Sequence, residues 1–202
     1  MPTARRIDRV RSVLTFRQPD LRIVLESVTN AHNASAVFRT CDAAGVLHVH
    51  LIKPGPEAWP VNAAISTRAD KWLDIHSHAS LTDCLDELRK KKLFLAVACL
   101  EDGAADYESL DFTRPTAVLF GNESEGVSRE ALELADVRIK IPMLGMVQSL
   151  NLSVSVGIIL YEALKQRRAA GFLDRRRLSP SDDRRLRRQW LGRGPKSSLK
   201  GT

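Results

Sequence analysis

The chain has 202 residues, of which 44% are hydrophobic and 27% charged, and this length and composition predict one globular domain with a sizeable core. No apolar run reaches the ~18 residues that a membrane span needs, and the Arg-rich N-terminus lacks the apolar core of a signal peptide. We therefore expect neither a membrane span nor secretion. The three cysteines (Cys41, Cys84 and Cys99) form no CxxC motif and cannot all pair, which predicts reduced thiols and a cytoplasmic protein.

Positive charge is concentrated at the two ends of the chain. Residues 1–22 carry a net charge of +4 and residues 165–202 of +10, whereas the segment between them carries −7. This pattern predicts a basic N-terminal helical arm at 1–20, a domain at 21–171 and a basic C-terminal arm with a helix at 172–202. Because phosphate neutralisation supplies most nucleic-acid affinity, such arms are typical of polyanion binding, although solvated tails are the alternative interpretation.

The predicted elements alternate between strands and helices. In chain order they are a helix at 3–16, strand 21–28, helix 34–44, strand 46–52, a proline-rich loop 53–60, helix 62–71, strand 72–76, helix 81–92, strands 93–100 and 116–121, helix 129–135, strand 137–141, and helices 148–170 and 179–191. This alternation predicts an α/β fold, with a mostly parallel sheet that has helices on both faces.

Several sequence signatures of cofactor sites are missing. No GxGxxG follows a predicted strand and no GxxxxGK[ST] occurs, so neither a dinucleotide site nor a P-loop is indicated. His48 and His50, like His76 and His78, place two imidazoles on one face of an extended segment. Without a carboxylate or cysteine partner in register, we interpret them as ordinary strand histidines and expect no metal.

Three polar segments each follow a predicted strand: residues 30–40, 119–126 and 139–154. Because the carboxyl ends of parallel strands face the same edge of a sheet, the three segments are expected to form one pocket. Gly121 allows close backbone approach to a ligand, and Arg39 offers a planar fork for an anion. Taken alone, a capped helix or a surface turn explains each segment as well.

These three segments resemble the motifs of the SPOUT (α/β-knot) RNA methyltransferases, and most closely those of the tRNA guanosine-2′-O-methyltransferases that modify position 18 of the D-loop. The matching stretches are HNASAVFRTCDAAG at 32–45, AVLFGNESEGVS at 117–128 and IKIPMLGMVQSLNLSVSVG at 139–157. The likeness covers about residues 5–175. It implies tRNA as the substrate and a C-terminal trefoil knot, which the spacing of the elements does not indicate.

The resemblance also implies a cofactor and roles for individual residues. S-adenosylmethionine is expected in the knotted region, held by backbone groups around four positions: Ala98, Gly121, Ile141 and Leu150. Arg39 matches the residue that activates the ribose 2′-hydroxyl, Asn33 supports that arginine, and the catalytic pocket is shaped by three further residues: Glu123, Ser149 and Asn151.

The chemistry of Arg39 leaves the proton acceptor open. Arginine is effectively always protonated and is a poor general base. Two routes fit: a nearby phosphate accepts the hydroxyl proton, or the positive charge of Arg39 lowers the hydroxyl pKa. In either route, positioning the nucleophile in line with the methyl group contributes much of the rate.

The sequence indicates the class of reaction more firmly than the RNA substrate, because residues 175–202 match no family segment closely. The alternatives are 2′-O-methylation of ribosomal RNA and a non-catalytic RNA-binding protein with the same fold. Related enzymes that act on ribosomal RNA usually carry a separate N-terminal RNA-binding domain, and the twenty residues before Leu21 leave no room for one.

The predicted helix from Gln148 is apolar nearly all round, with the residues Leu150, Leu152, Val154, Val156, Ile158, Ile159 and Leu160. A helix that is apolar on every side must be buried on every side, which predicts that a second molecule covers the face turned away from the sheet. The resemblance likewise implies a homodimer in which Arg39 faces the cofactor pocket of the neighbouring subunit. Burial of this helix wholly within its own subunit is the alternative.

Overall fold

The computed structural model describes residues 2–52 and 69–192. Within these ranges the strands are β1 (Gln18–Glu26), β2 (Val46–Ile52), β3 (Asp74–His78), β4 (Phe94–Ala98), β5 (Ala105–Asp106), β6 (Thr116–Phe120) and β7 (Val137–Lys140). The α-helices are α1 (Ala4–Thr15), α2 (Ala31–Ala43), α3 (Leu81–Lys90), α4 (Arg129–Leu134), α5 (Leu152–Ala169) and α6 (Pro180–Leu191). The predicted loop at 53–60 and residues 62–68 of the predicted helix 62–71 lie outside the described ranges.

The seven strands form one sheet in the order β3-β2-β1-β6-β4-β7-β5. Every strand pair in this sheet is parallel. The predicted α/β architecture with a parallel sheet is therefore confirmed. The trefoil knot stays a prediction from the family resemblance.

The hydrophobic core lies on both faces of the sheet. One cluster joins the sheet to α2 and α5, and includes Val37, Phe38, Val156 and Ile159. A second cluster on the other face joins the sheet to α3 and includes Leu85 and Leu88. All five residues of the central strand β6, with the sequence TAVLF, are buried, as expected for a parallel strand covered on both sides.

The helix α5 begins later than the sequence predicts. It starts at Leu152 rather than Gln148, because the Asn151 side chain caps its first turn and accepts a hydrogen bond from the Ser153 backbone N–H at 2.9 Å. The residues between β7 and Asn151 are irregular instead of helical. The predicted helix end near Gly171 is confirmed, since α5 ends at Ala169 and Gly171 adopts a positive φ of 76°.

The two basic arms pack against each other. Val10 and Leu14 of α1 form a buried cluster with Leu186 and Trp190 of α6. The backbone carbonyl of Trp190 also accepts a hydrogen bond from Arg6 Nη2 at 2.9 Å. The alternative interpretation of the arms as solvated tails is therefore wrong for the part of them that the structure describes.

Three arginines of the basic end segments are internal and do not face solvent. Arg17 is fully buried and pairs with Asp42. Arg22 is also buried and contacts Glu87 Oε1 at 3.3 Å. Arg167, fully buried near the end of α5, binds Asp20 Oδ1 at 2.7 Å. The charge available for an external anion is accordingly smaller than the net charge of these segments.

The histidines of β2 and β3 have partners that the sequence did not reveal. Cys84 and Glu87, one helical turn apart on α3, lie against the face of the sheet that carries His50, His76 and His78. The inference that no carboxylate or cysteine lies in register with these histidines is therefore wrong. The cause is tertiary, because α3 crosses over the strands only in the folded chain.

None of the described helices is both long enough and apolar enough to cross a membrane.

Candidate active site

A cavity of about 780 Å³ lies at the carboxyl edge of the sheet, where the three polar segments meet. Its walls come from the start of α2, the loop after β6, the residues after β4, and the segment from the end of β7 to α5. Eight of the nine residues that the sequence assigns to the site line it: Asn33, Ala98, Gly121, Glu123, Ile141, Ser149, Leu150 and Asn151. The expected convergence of the three segments on one pocket is confirmed.

Asn33 joins the three segments. Its Nδ2 donates to Glu123 Oε1 at 2.9 Å, and its Oδ1 accepts from Asn151 Nδ2 at 3.2 Å. The position of Asn33 is fixed by Asn30, which caps α2 and accepts from the backbone N–H of His32 at 2.9 Å and of Asn33 at 3.3 Å. The three side chains Asn33, Glu123 and Asn151 thus form one continuous hydrogen-bonded row across the cavity wall.

The loop after β6 is a closed turn that requires glycine at its start. Asn122 and Gly126 exchange backbone hydrogen bonds of 2.8 and 2.9 Å. A Cβ added to Gly121 would lie 2.0 Å from the carbonyl oxygen of Gly126, so no larger residue fits this turn. The Asn122 side chain ties the loop to the end of β1 by donating to the carbonyl of Ser27 at 2.7 Å.

A buried carboxylate anchors the far end of the same loop. Glu26, the last residue of β1, accepts from the Ser128 hydroxyl at 2.6 Å and from the Ser128 backbone N–H at 2.9 Å. Ser128 also caps α4. Both ends of the segment 121–128 are therefore fixed to β1, which places Glu123 beside Asn33.

The cavity offers backbone groups and apolar side chains on one side and acidic side chains on another. Ile139 and Ile159 are buried beneath it, and Ala98, Ile141 and Leu150 lie at its wall. Carboxylates come from Glu101, Glu123 and Glu125, whereas Lys140 supplies an ammonium group. This lining suits a ligand that combines apolar parts with positive charge.

Sequence reasoning missed the residues after β4. Cys99, Leu100 and Glu101 line the cavity, and the Cys99 backbone N–H donates to the carbonyl of Ile139 at 2.9 Å. Only Ala98 of this stretch was assigned, through the family resemblance. Its position directly after a buried strand was a usable signal, because the carboxyl ends of strands form the ligand edge of such sheets.

Arg39 is the one assigned residue that does not line the cavity. It is exposed on α2, six positions after Asn33. At 3.6 residues per turn this spacing puts the two side chains roughly 120° apart around the helix and about 9 Å apart along it. Asn33 lines the cavity of its own chain, whereas Arg39 is not among the residues that line it.

Comparison with known proteins agrees with this geometry. Residues 20–161 match the SpoU rRNA Methylase family, which is more than half of the chain. The chain belongs to the SpoU methylase family. Among curated relatives, this SpoU-family chain is 46% identical over 189 residues to a tRNA (guanosine(18)-2′-O)-methyltransferase of Thermus thermophilus, an alignment that covers 94% of this chain and 97% of the relative.

Two solved structures of the family are similar to this chain. The TrmH/SpoU tRNA modifying enzyme of Aquifex aeolicus superposes with a TM-score of 0.86 at 38% identity, over 93% of this chain and 95% of that one. The SpoU methyltransferase AviRb of Streptomyces viridochromogenes, in complex with the cofactor AdoMet, gives a TM-score of 0.68 at 28% identity, over 75% of this chain and 60% of that one. The SPOUT resemblance of the three motifs is thereby confirmed.

Proposed function

We propose that the protein transfers a methyl group from S-adenosylmethionine to the ribose 2′-hydroxyl of guanosine 18 in the D-loop of tRNA. One observation carries the proposal: the three motif segments line a single cavity at the carboxyl edge of the sheet. The relatives' names support the substrate and the reaction. A tRNA substrate also implies a cytoplasmic location, which is part of the same proposal.

The cavity fits S-adenosylmethionine in size and charge. Its volume of about 780 Å³ lies within the usual range of small-molecule sites, roughly 300–1,000 Å³. Backbone groups at Ala98, Gly121, Ile141 and Leu150 are its proposed anchors. The carboxylates of Glu101, Glu123 and Glu125 suit a ligand with a sulfonium and an ammonium group. When bound, the cofactor supplies an electrophilic methyl group.

The residues of the chain position the ribose and stabilise the oxygen that attacks. Asn33 holds Glu123 and Asn151 in a fixed row, so all three present polar atoms in known directions to a nucleoside. Ser149, exposed at the cavity wall, adds a hydroxyl. Arg39 carries a permanent positive charge, which stabilises the developing negative charge on the 2′-oxygen.

The position of Arg39 supports a homodimer with a site shared between two chains. Arg39 does not line the cavity of its own chain, which fits a role at the cavity of a second subunit. Exposed apolar side chains on α5 and on the preceding segment offer an interface: Leu144, Met146, Val147, Val154 and Tyr161. Exposing them together on a monomer would create an apolar patch of the kind that marks association surfaces.

The test is methyl transfer to defined RNA. Purified protein is incubated with labelled S-adenosylmethionine and a tRNA transcript, and the modified nucleotide is mapped by nuclease digestion and mass spectrometry. We expect one 2′-O-methylated guanosine at position 18. A matched tRNA with 2′-deoxyguanosine at that position should accept no methyl group, because it lacks the nucleophile.

Other outcomes of this experiment contradict the proposal. Because the matching family is described as an rRNA methylase family, a ribosomal RNA fragment is included as a second substrate. Transfer to that fragment and not to tRNA would assign the enzyme to ribosomal RNA. Tight tRNA binding without transfer to either RNA would indicate a non-catalytic binding protein.

A further inference from the structure

A cluster of histidines lies on the α3 face of the sheet, away from the candidate active site. In the parallel register of β2 and β3, His48 is opposite Asp74, His50 is opposite His76, and Ile52 is opposite His78. Side chains two residues apart on a strand share a face, so all four imidazoles are on one side. None of them lines the active-site cavity.

Three of the groups in this cluster have the donors and the spacing of a metal site. His50, His78 and Cys84 each offer one ligand atom, and these atoms lie within 4.8 Å of one another. His50 Nδ1 and His78 Nε2 are 2.9 Å apart. In a tetrahedral zinc site with Zn–N bonds of about 2.0–2.1 Å, two imidazole nitrogens are separated by about 3.3 Å. Small shifts therefore convert the observed cluster into a coordination shell.

Hydrogen bonding determines which nitrogen of His50 carries its proton. Arg22 Nη1 lies 3.1 Å from His50 Nε2, and arginine has only donors, so Nε2 is the acceptor. The proton of neutral His50 is then on Nδ1 and points at His78 Nε2. One proton thus lies between His50 Nδ1 and His78 Nε2. A metal ion bound to both nitrogens would take the place of this proton.

We propose that His50, His78 and Cys84 bind a divalent transition-metal ion of the zinc class, with Glu87 as the fourth ligand. Glu87 Oε2 is 4.0 Å from His78 Nε2, but Glu87 groups with His50 and His76 and not with Cys84, so it has to shift toward the ion to coordinate it. One thiolate, one carboxylate and two neutral imidazoles balance the charge of the ion. A soft thiolate with imidazoles selects Zn²⁺ or Co²⁺ over Mg²⁺ and Ca²⁺, which prefer oxygen ligands.

The protons balance on binding. The His50 proton moves from Nδ1 to Nε2, and the Cys84 thiol releases its proton to solvent. Because His50 Nε2–H and Arg22 Nη1–H would then both be donors 3.1 Å apart, the guanidinium has to turn away from His50. Arg22 keeps its other partners, Glu87 Oε1 at 3.3 Å and the carbonyl of Pro19 at 3.4 Å. Its guanidinium consequently orients the carboxylate ligand through the oxygen that does not touch the metal.

The surroundings favour a structural role and allow the ion to enter. His50 and Cys84 are fully buried. Because β3 is an edge strand, the cluster opens to solvent past His76 and Glu87, whose side chains are 30% and 33% exposed. The ion ties α3 and the edge strand β3 to β2.

The experiment uses the full-length protein, stripped with a chelator and titrated with Zn²⁺ and Co²⁺. We expect one equivalent of tightly bound ion, a rise in melting temperature, and a near-ultraviolet thiolate-to-cobalt absorption band. Cys84→Ser should lose that band, and His78→Asn should weaken binding more than about tenfold. Cys99→Ser, the matched control at a half-exposed cysteine, should keep the band and the affinity.

Two controls keep the result decisive. Melting temperatures without metal identify which variants are folded, and His78→Asn, at an incompletely buried side chain, stands in if Cys84→Ser does not fold. Mg²⁺ should bind no more tightly to the wild type than to the variants. No uptake of Zn²⁺ or Co²⁺, uptake equal in wild type and His78→Asn, or a cobalt band that depends on Cys99 would overturn the proposal.

Discussion

At the residue scale, the candidate site depends on a few polar side chains whose orientation is fixed by hydrogen bonds to neighbouring residues. Asn33 is fixed from below by the Asn30 cap and from both sides by Glu123 and Asn151. Because the side chains of Asn33, Glu123 and Asn151 are already hydrogen-bonded to one another, they offer a nucleoside a preorganised surface. Little ordering of these side chains is then required when the substrate binds.

Arg39→Ala should reduce methyl transfer by at least about 100-fold and leave the affinity for S-adenosylmethionine nearly unchanged. The reason is that Arg39 is proposed to stabilise the attacking oxygen, and it does not line the cavity. Single-turnover transfer and equilibrium cofactor binding measure the two effects. Arg129→Ala, at an exposed helical arginine outside the cavity, is the control. Transfer near the wild-type rate, or an equal loss of cofactor affinity, would contradict the assigned role.

Asp20→Asn should destabilise the fold by about 3 kcal/mol at neutral pH, because it removes the carboxylate partner of fully buried Arg167. Arg177 loses the same partner at 2.6 Å. Chemical unfolding monitored by circular dichroism measures the difference. Asp8→Asn, which removes an exposed carboxylate 4.0 Å from Arg11, should cost less than about 1 kcal/mol.

The Asp20 effect should depend on pH in one direction. Burial alone would raise the pKa of Asp20, but Arg167 and Arg177 hold it below its usual value of 3.8. A carboxyl with a lowered folded-state pKa stabilises fully above the unfolded pKa and loses that contribution as pH falls through the folded value. The difference in free energy of unfolding between the wild type and Asp20→Asn should therefore become smaller below about pH 4. If this difference in unfolding free energy stays constant down to low pH, the ion pair of Asp20 with Arg167 is not its cause.

At the element scale, α1 and α6 pack together, and the arginines of α6 and of the segment before it differ in availability. Arg177, Arg185 and Arg187 pair with aspartates of the chain, namely Asp20, Asp74 and Asp183. Arg184 and Arg188 are exposed one turn apart on α6. Because Leu186 and Trp190 are buried against α1, removal of α6 would expose apolar surface as well as remove charge. Point substitutions separate the two effects.

The double variant Arg184→Gln/Arg188→Gln should weaken tRNA binding and flatten its salt dependence by about one unit for each phosphate that these arginines neutralise in the wild type. Lys90→Gln/Lys91→Gln removes the same charge from the end of α3 and should leave the slope unchanged. Filter binding across a range of salt concentrations gives both slopes. Equal slopes for the two double variants would mean that α6 contributes only net charge.

At the scale of the whole molecule, the proposed shared active site predicts complementation between two inactive variants. Arg39→Ala and Asn151→Ala should each be inactive alone and should recover activity when mixed, because one site of each heterodimer has both residues intact. Asn151 also caps α5, so its loss should cost about 1 kcal/mol without unfolding the protein. Transfer assays after subunit exchange, with exchange confirmed by differently tagged chains, give the result.

Two findings would remove the shared site. An active monomer in sedimentation would exclude both the dimer and the composite site. Mixed dimers that form but do not recover activity would leave the dimer and place Arg39 outside the partner's cavity.

The sequence by itself predicted the fold class and the three segments that line the candidate cavity. Alternation of strand and helix patterns predicted the parallel sheet. Parallel connectivity put the ends of β1, β6 and β7 at one edge, which is why three segments distant in sequence were expected to meet. These features are local in sequence or follow from general rules of connection.

Only the tertiary structure decided which distant side chains touch. Asn33 meets Asn151 across 118 positions, and Arg167 meets Asp20 across 147. Cys84 reaches the histidines only because α3 lies over β2 and β3. Periodicity specifies which face of an element is apolar. It does not specify which element will cover that face, because that depends on the strand order and on packing of the whole chain.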